Sequence, residues 1–192
     1  MKTKNHFLTL VLILMTAFSA NAQSTLSDIL TALAGQKPSF SNVKTQRFVV
    51  NSSGNARFSG GKTRDVVKVE LPKGTEKWYY RVTLLEKSST YEYESNETFY
   101  YLLSNNKKAD TYSSGDAGVD IYILGHSGDV SSFKETGNNS FRCFQKYTRL
   151  NTKTTVGVID NTLGENLWLG IKNPNSATGV QVIVEIVASG HF

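Results

Sequence analysis

The amino-acid sequence predicts a mainly β fold: an antiparallel β-sandwich of jelly-roll or Ig-like topology with two short helices, following a cleaved signal peptide. Three observations predict it. Eight short runs are rich in Val, Ile, Tyr and Phe, and most alternate apolar with polar residues. Their connections are built from Gly, Asn, Ser and Asp, the turn formers. The long helical stretches that crossovers between parallel strands would need are missing, so the runs read as packed antiparallel sheets.

The first segment carries Lys2 and Lys4, then an apolar run from Phe7 to Phe18, then Ala20-Asn21-Ala22 before Gln23. A charged start, a short hydrophobic stretch and an A-x-A site are the order of a signal peptide, residues 1–22. The run falls short of the roughly 20 apolar residues that span a membrane. The expectation is therefore an exported chain, secreted or periplasmic, with no membrane insertion after cleavage and a place at or near the cell surface. The Lys-rich start and Ala-Gln junction have a bacterial character. Between Ser24 and Gly35, Leu26, Ile29, Leu30 and Leu33 recur at helical spacing, so residues 23–38 are read as a short amphipathic helix and linker ended by Gly35 and Pro38.

From residue 39 to 192 one β-sandwich domain is predicted. Val43–Val50 is the first strand, and Asn51-Ser52-Ser53-Gly54-Asn55 after it a turn cluster. Gly60-Gly61 marks a second turn. Val67, Val69 and Leu71 alternate with Lys68 and Glu70. Lys77–Glu86 is the strongest strand of the first half: Trp78, Tyr80, Val82 and Leu84 share one face, while Tyr79, Arg81 and Thr83 form a polar face expected to meet solvent. Tyr91 and Tyr93 alternate with Glu92 and Glu94 in a short exposed strand or loop. Ser95, Glu97, Phe99, Leu102 and Leu103 predict a second short helix capped by Ser95.

Val119, Ile121 and Ile123 form the next strand, ending at Gly125, and Asp129 is placed to cap one helical turn through Phe133. Phe141–Tyr147 carries aromatics on both faces and reads as a central strand. Val156–Ile159, Leu167–Ile171 and Val180–Val187 complete the set. The last is nearly all β-branched, as expected of a strand covered on both faces.

Three stretches carry a family resemblance: Leu71-Pro72 through Trp78-Tyr79-Tyr80; Val119-Asp120-Ile121-Tyr122-Ile123-Leu124; and Leu167-Trp168-Leu169-Gly170-Ile171 through Val184-Glu185-Ile186-Val187. In these the chain resembles the bacterial pre-peptidase C-terminal type of β-sandwich module. That resemblance implies an accessory module of a secreted protein. The segment around Phe99 and Leu103 departs from the pattern.

Chemistry-bearing residues are sparse. Losing residues 1–22 removes Lys2 and Lys4 and no acid, lowering the formal charge from +5 to +3. The basic residues are spread along the chain, so no nucleic-acid partner is predicted. The single Cys143 has no partner for a disulfide and is read as a buried thiol. Three histidines, His6, His126 and His191, with no ligand spacing, predict no zinc site. No cofactor is assigned; Asp116, Asp120 and Asp129 are the one set of oxygens considered for calcium. Gly125-His126-Ser127-Gly128-Asp129 places His, Ser and Asp together, but reads as a plain turn. Glu92 and Glu94 are the one carboxylate pair weighed for glycoside hydrolysis. Tyr79, Tyr91, Tyr93 and Tyr122 alternate with polar neighbours and would stack on a sugar or contact a protein if several shared one exposed face, whereas Trp78, Tyr80 and Trp168 are assigned to the core.

No catalytic or metal residue is named, and ligand-binding residues and oligomeric state are left open. The functional expectation is an exported non-catalytic binding module acting at the cell surface or extracellularly, its ligand a glycan or a protein. A small secreted hydrolase and a structural cell-envelope component are the alternatives.

Overall fold

Among the described residues, alternation along the chain becomes alternation between two faces in eight strands: β1 (Ser39–Val50), β2 (Arg64–Val69), β3 (Thr75–Glu86), β4 (Val119–Leu124), β5 (Arg149–Thr152), β6 (Thr155–Asp160), β7 (Leu167–Lys172) and β8 (Val180–Gly190). The computed structural model describes residues 38–192, apart from 110, 111, 115, 116, 136, 138, 161, 162 and 165. The predicted signal peptide and the predicted helix before Gly35 lie outside the described residues.

Every strand pair is antiparallel. The first strand pairs with the last, the second with the seventh, the third with the sixth and the fourth with the fifth. The chain is thus one long hairpin rolled up, closed by lateral pairing of β8 with β3 and of β7 with β4. Two four-stranded sheets result, β1-β8-β3-β6 and β2-β7-β4-β5. That is the jelly-roll arrangement, which selects between the two sandwich topologies the sequence leaves open.

The core lies between the sheets. Trp78, Tyr80, Val82 and Leu84 of β3 and Val182, Val184 and Ile186 of β8 face Ile121 and Ile123 of β4 and Leu167, Leu169 and Ile171 of β7. Each such side chain contributes about 1.5–3 kcal/mol by leaving water. From Val182 to Gly190 every residue of β8 is buried, as its β-branched composition predicts.

Among the described residues, three short helices lie on the sandwich: α1 (Ser53–Ser59), α2 (Phe99–Ser104) and α3 (Ser127–Lys134). The first is a correction, because its sequence reads as a turn. It buries no side chain and so has no apolar period to detect. Its ends hold it instead. Ser52 Oγ accepts the Asn55 N–H, Ser53 and Gly54 donate to the carbonyls of Asn175 and Ser176 at 3.1 and 3.0 Å, and Gly60 and Gly61 stop it with φ of +75° and +98°. In α2 the cap is Thr98 and not Ser95, and in α3 it is His126 and not Asp129.

Phe141–Tyr147 is a further correction. It forms no strand, ending instead in one 3-10 turn at Gln145–Tyr147, and the strand beside β4 comes later, at Arg149–Thr152. Its aromatics serve both sides because they roof a sheet. Phe141 meets Tyr122 and Phe133 edge-on at 5.2 and 5.0 Å, and Phe133 fills the hollow above Gly170.

Inside the sandwich the hydroxyl end of the Tyr80 ring lies against Gly157 of β6, where any Cβ would collide with Cε1 and Cζ of that ring. Tyr80 is 1% exposed and has nowhere to move. Gly157→Ala is therefore expected to cost about 1–3 kcal/mol in urea unfolding. The same change in a Tyr80→Ala background should cost nothing further; an undiminished loss there would show that the ring is not the obstacle.

Candidate functional site

The outer face of the β1-β8-β3-β6 sheet is the largest departure from expectation. Arg81, Thr83 and Leu85 do not meet solvent: they are 1%, 0% and 0% exposed. The chain after β3 folds back across them as a strap carrying α2, which packs over β1 and β8. A buried ion pair fastens it. Arg81 Nε donates to Glu185 Oε2 at 2.6 Å across paired positions of β3 and β8, and Arg81 Nη2 donates to the Glu97 carbonyl at 2.8 Å. Glu185 Oε1 accepts the Phe99 N–H at 2.8 Å. The guanidinium lies 4.1 Å from the centre of the Tyr93 ring, whose hydroxyl is bonded to Thr83. At the strap's margin Arg47, Glu92, Tyr93, Thr98 and Glu185 line a cleft of about 230 Å³.

The residues singled out in the sequence are scattered. Tyr79 packs on Phe40 and Tyr91 on Tyr93 and Tyr112, whereas Tyr122 lies against Phe133 and Phe141 on the other sheet, so the four tyrosines share no exposed face. Trp168 is half-buried and off the central core, unlike Trp78 and Tyr80. Glu92 and Glu94 are exposed in the strap, outside any strand. Asp120 accepts the Asn151 N–H at 2.9 Å and faces Lys172 at 3.8 Å, while Asp129 is held by Arg142. Asp116 lies outside the described residues. Among the described residues no group of three or more His, Cys, Asp or Glu side chains is arranged to hold a metal ion.

His126, Asp129, Arg142 and Cys143 do come together, around a cleft of about 350 Å³. Their atoms hold the backbone in place. His126 Nδ1 accepts the Gly128 N–H at 3.1 Å as the cap of α3, and Asp129 Oδ1 accepts the Arg142 N–H at 2.9 Å. Those Arg142 contacts hold the Asp129 carboxyl below its usual range. Cys143 is half-exposed, outside any strand, with Gln145 Nε2 donating to its sulfur at 3.3 Å. The expected buried strand thiol is thereby corrected, as is the plain turn, which is the start of a helix.

A larger cleft, of about 620 Å³, opens at one end of the sandwich. Asn173, 3% exposed, builds it. Its Nδ2 donates to the carbonyls of Val50 and Thr178 at 3.2 and 2.8 Å, its Oδ1 accepts from Asn175, and its N–H donates to Thr63. These bonds tie the end of β1, the start of β2 and the β7–β8 loop into one wall. Gly54 completes the closure, since a Cβ there would meet the Ser176 carbonyl at 2.6 Å.

Three cationic side chains line the cleft: Arg57 from α1, Arg64 from β2 and Lys172 from β7, with Ser53, Thr63 and Asn173 between them. Arg64 is buried, its guanidinium donating to the Phe133 carbonyl at 3.2 Å and Asn139 Oδ1 at 2.8 Å and lying 5.7 Å from the Phe133 ring centre. No carboxylate side chain is among the described lining residues. Sequence reasoning missed this set because its members are far apart in the chain and patterned like ordinary surface cations. The one local signal was the Asn173-Pro174-Asn175 turn.

Fold and clefts together define an eight-stranded jelly-roll domain with a cationic cleft at one end. No family model and no curated protein matches the chain. Among solved structures, it is similar to a chain of Bacillus endospore appendages described as a novel family of disulfide-linked pili. Identity is 6%, over 81% of this chain and 93% of that one, with a TM-score of 0.34. It is also similar to the BFDV capsid protein, crystallised as a decamer, with 8% identity over 80% of this chain and 98% of that one and a TM-score of 0.40. Likenesses this distant fix no function. Among the described residues no helix is long and apolar enough to cross a membrane.

Two outcomes are expected from these contacts. Arg81→Met strands the Glu185 carboxylate in the protein and should cost about 3–5 kcal/mol in chemical unfolding, whereas the double change with Glu185→Leu should recover most of that. Additive losses would show that the two groups do not act as a unit. Burial and then the neighbouring Asp120 push the Tyr122 hydroxyl up from 10 to about 12. Between those values the unfolded chain gives up its proton first, so stability should fall as pH rises through that window. Tyr122→Phe should flatten that slope; an unchanged slope would exclude Tyr122 as its source.

Proposed function

We propose that this chain is an exported, non-catalytic binding module and that its ligand is an anionic glycan seated between Arg57, Arg64 and Lys172. One observation carries the reading: three cations from three separate elements line one cleft of about 620 Å³, with no carboxylate side chain among its described lining residues. Arg57 is exposed, while Lys172 also faces Asp120 at 3.8 Å and Arg64 is held from behind by Phe133 and Asn139. Its volume falls in the range of small-ligand sites, and its concavity suits a few sugar units better than a flat protein interface. The hydroxyls of Ser53 and Thr63 and the Asn173 amide supply the hydrogen bonds a polyhydroxylated ligand requires. The exposed Arg57 guanidinium supplies the planar pairing that carboxylate or sulfate groups favour, with Arg64 and Lys172 adding positive charge to the wall behind it. The hydrolase alternative rests on the His126–Asp129 cleft, where the Nδ1 of the one and the carboxylate of the other already hold the backbone.

The test is a binding screen of the purified chain from Gln23 against uronic-acid, sulfated and neutral glycans at several salt concentrations. Retention of the acidic glycans only, weakening as salt rises, is expected. Arg57→Glu should reduce affinity by about tenfold or more without altering the fold, because α1 buries no side chain. Equal binding by the variant, or equal retention of neutral glycans, would overturn the assignment.

A further inference from the structure

A sheet edge offers unpaired N–H and C=O groups to any strand that reaches it, and proteins guard such edges with charge, bulges, brevity or cover. Three of the four edges here are guarded. β1 carries Lys44 and Arg47 and a bulge between Asn42 and Lys44. β2 carries Arg64, Asp65 and Lys68. β5 is four residues long, begins with Arg149 and places Asn151 at φ +47°. The fourth, β6, reads Thr155-Val156-Gly157-Val158-Ile159 before its first charge, Asp160. It pairs with β3 without a bulge, and among the described residues no strand lies on its other side. Its outward-facing Val156 and Val158 are 37% and 49% exposed, and Leu150 on the adjoining β5 is 65% exposed.

We propose that β6 is an assembly edge whose partner is β6 of a second copy of this chain. The guards on β1, β2 and β5 disfavour them as partners for it, which leaves like with like. Two copies related by a two-fold axis present the same edge to each other and pair antiparallel, the sense already used throughout this sheet. With the axis at Gly157, Val156 of each copy stands opposite Val158 of the other, giving two β-branched cross-strand pairs on one face. In that register Asp160 of each copy lies opposite Thr154 of the other, so no like charges face each other along the seam. The result is one continuous eight-stranded sheet. A contact of one short strand per copy buries less than the roughly 1,200 Å² of stable interfaces, so the dimer is weak and concentration-dependent.

The test combines sedimentation with cross-linking on the full chain from Gln23. The unaltered protein should pass from monomer to dimer as concentration rises toward about 1 mM, and Val158→Lys should stay monomeric throughout. In a Cys143→Ser background, mixing Val156→Cys with Val158→Cys protein should give oxidised dimers that neither variant gives alone. A monomer at every concentration, a Val158→Lys protein that dimerises as well as the original, self-linking of Val158→Cys, or open-ended growth beyond two copies would each overturn the proposal.

Discussion

The structure depends on one buried contact, the ion pair between Arg81 and Glu185. The two residues sit opposite each other on β3 and β8, the inner strands of their sheet, on the face turned away from the core. A charged pair there would ordinarily be solvated and contribute little. Here both are almost fully covered, so each charge must be satisfied by the protein, and the strap supplies what the pair leaves unmet. The Phe99 N–H takes the second Glu185 oxygen, and the Glu97 carbonyl takes the second Arg81 nitrogen. The pair therefore works less as a source of stability than as a template, since it fixes where the strap must bring the Glu97 carbonyl and the Phe99 N–H.

The same logic of covered outer faces runs through the other sheet with apolar chemistry. There, α3 lays Phe133 into the hollow left by Gly170, and Phe141 and Tyr122 close round it. With the inner strands of both sheets roofed in this way, the strands left open to contact lie at the ends and edges of the sandwich. The cationic cleft lies at an end, where Asn173 joins three chain segments, and the unguarded strand lies at an edge. Both features sit on backbone held by the core, which is what pre-organises a contact surface.

Much of the architecture was legible in the sequence, because burial of one face leaves a period of two. β3, β4, β7 and β8 were read correctly, and the stretches that suggested pre-peptidase modules lie largely in these four strands. The misreadings share a cause. Arg81 and Thr83 looked solvent-facing because polarity is local, while their cover comes from a strap whose docking depends on pairing with residue 185. Ser53–Ser59 looked like a turn because its helix is held by backbone bonds to Asn175 and Ser176, more than 120 residues away. Phe141–Tyr147 looked like a strand because roofing aromatics imitate alternation. The candidate site was less legible still, since Arg57, Arg64 and Lys172 meet only through the hairpin pairing of β2 with β7 and the docking of α1.

The most direct measurement is native-state hydrogen exchange at the Phe99 amide, which donates to a buried carboxylate although it lies in the connection between strands. If the ion pair organises the strap, Phe99 exchanges as slowly as the amides of β8 around Glu185 and is released with them in the same unfolding step. Exchange at the rate of the exposed residues near Lys107 would mean that the strap opens independently, and the role given to Arg81 and Glu185 would be wrong.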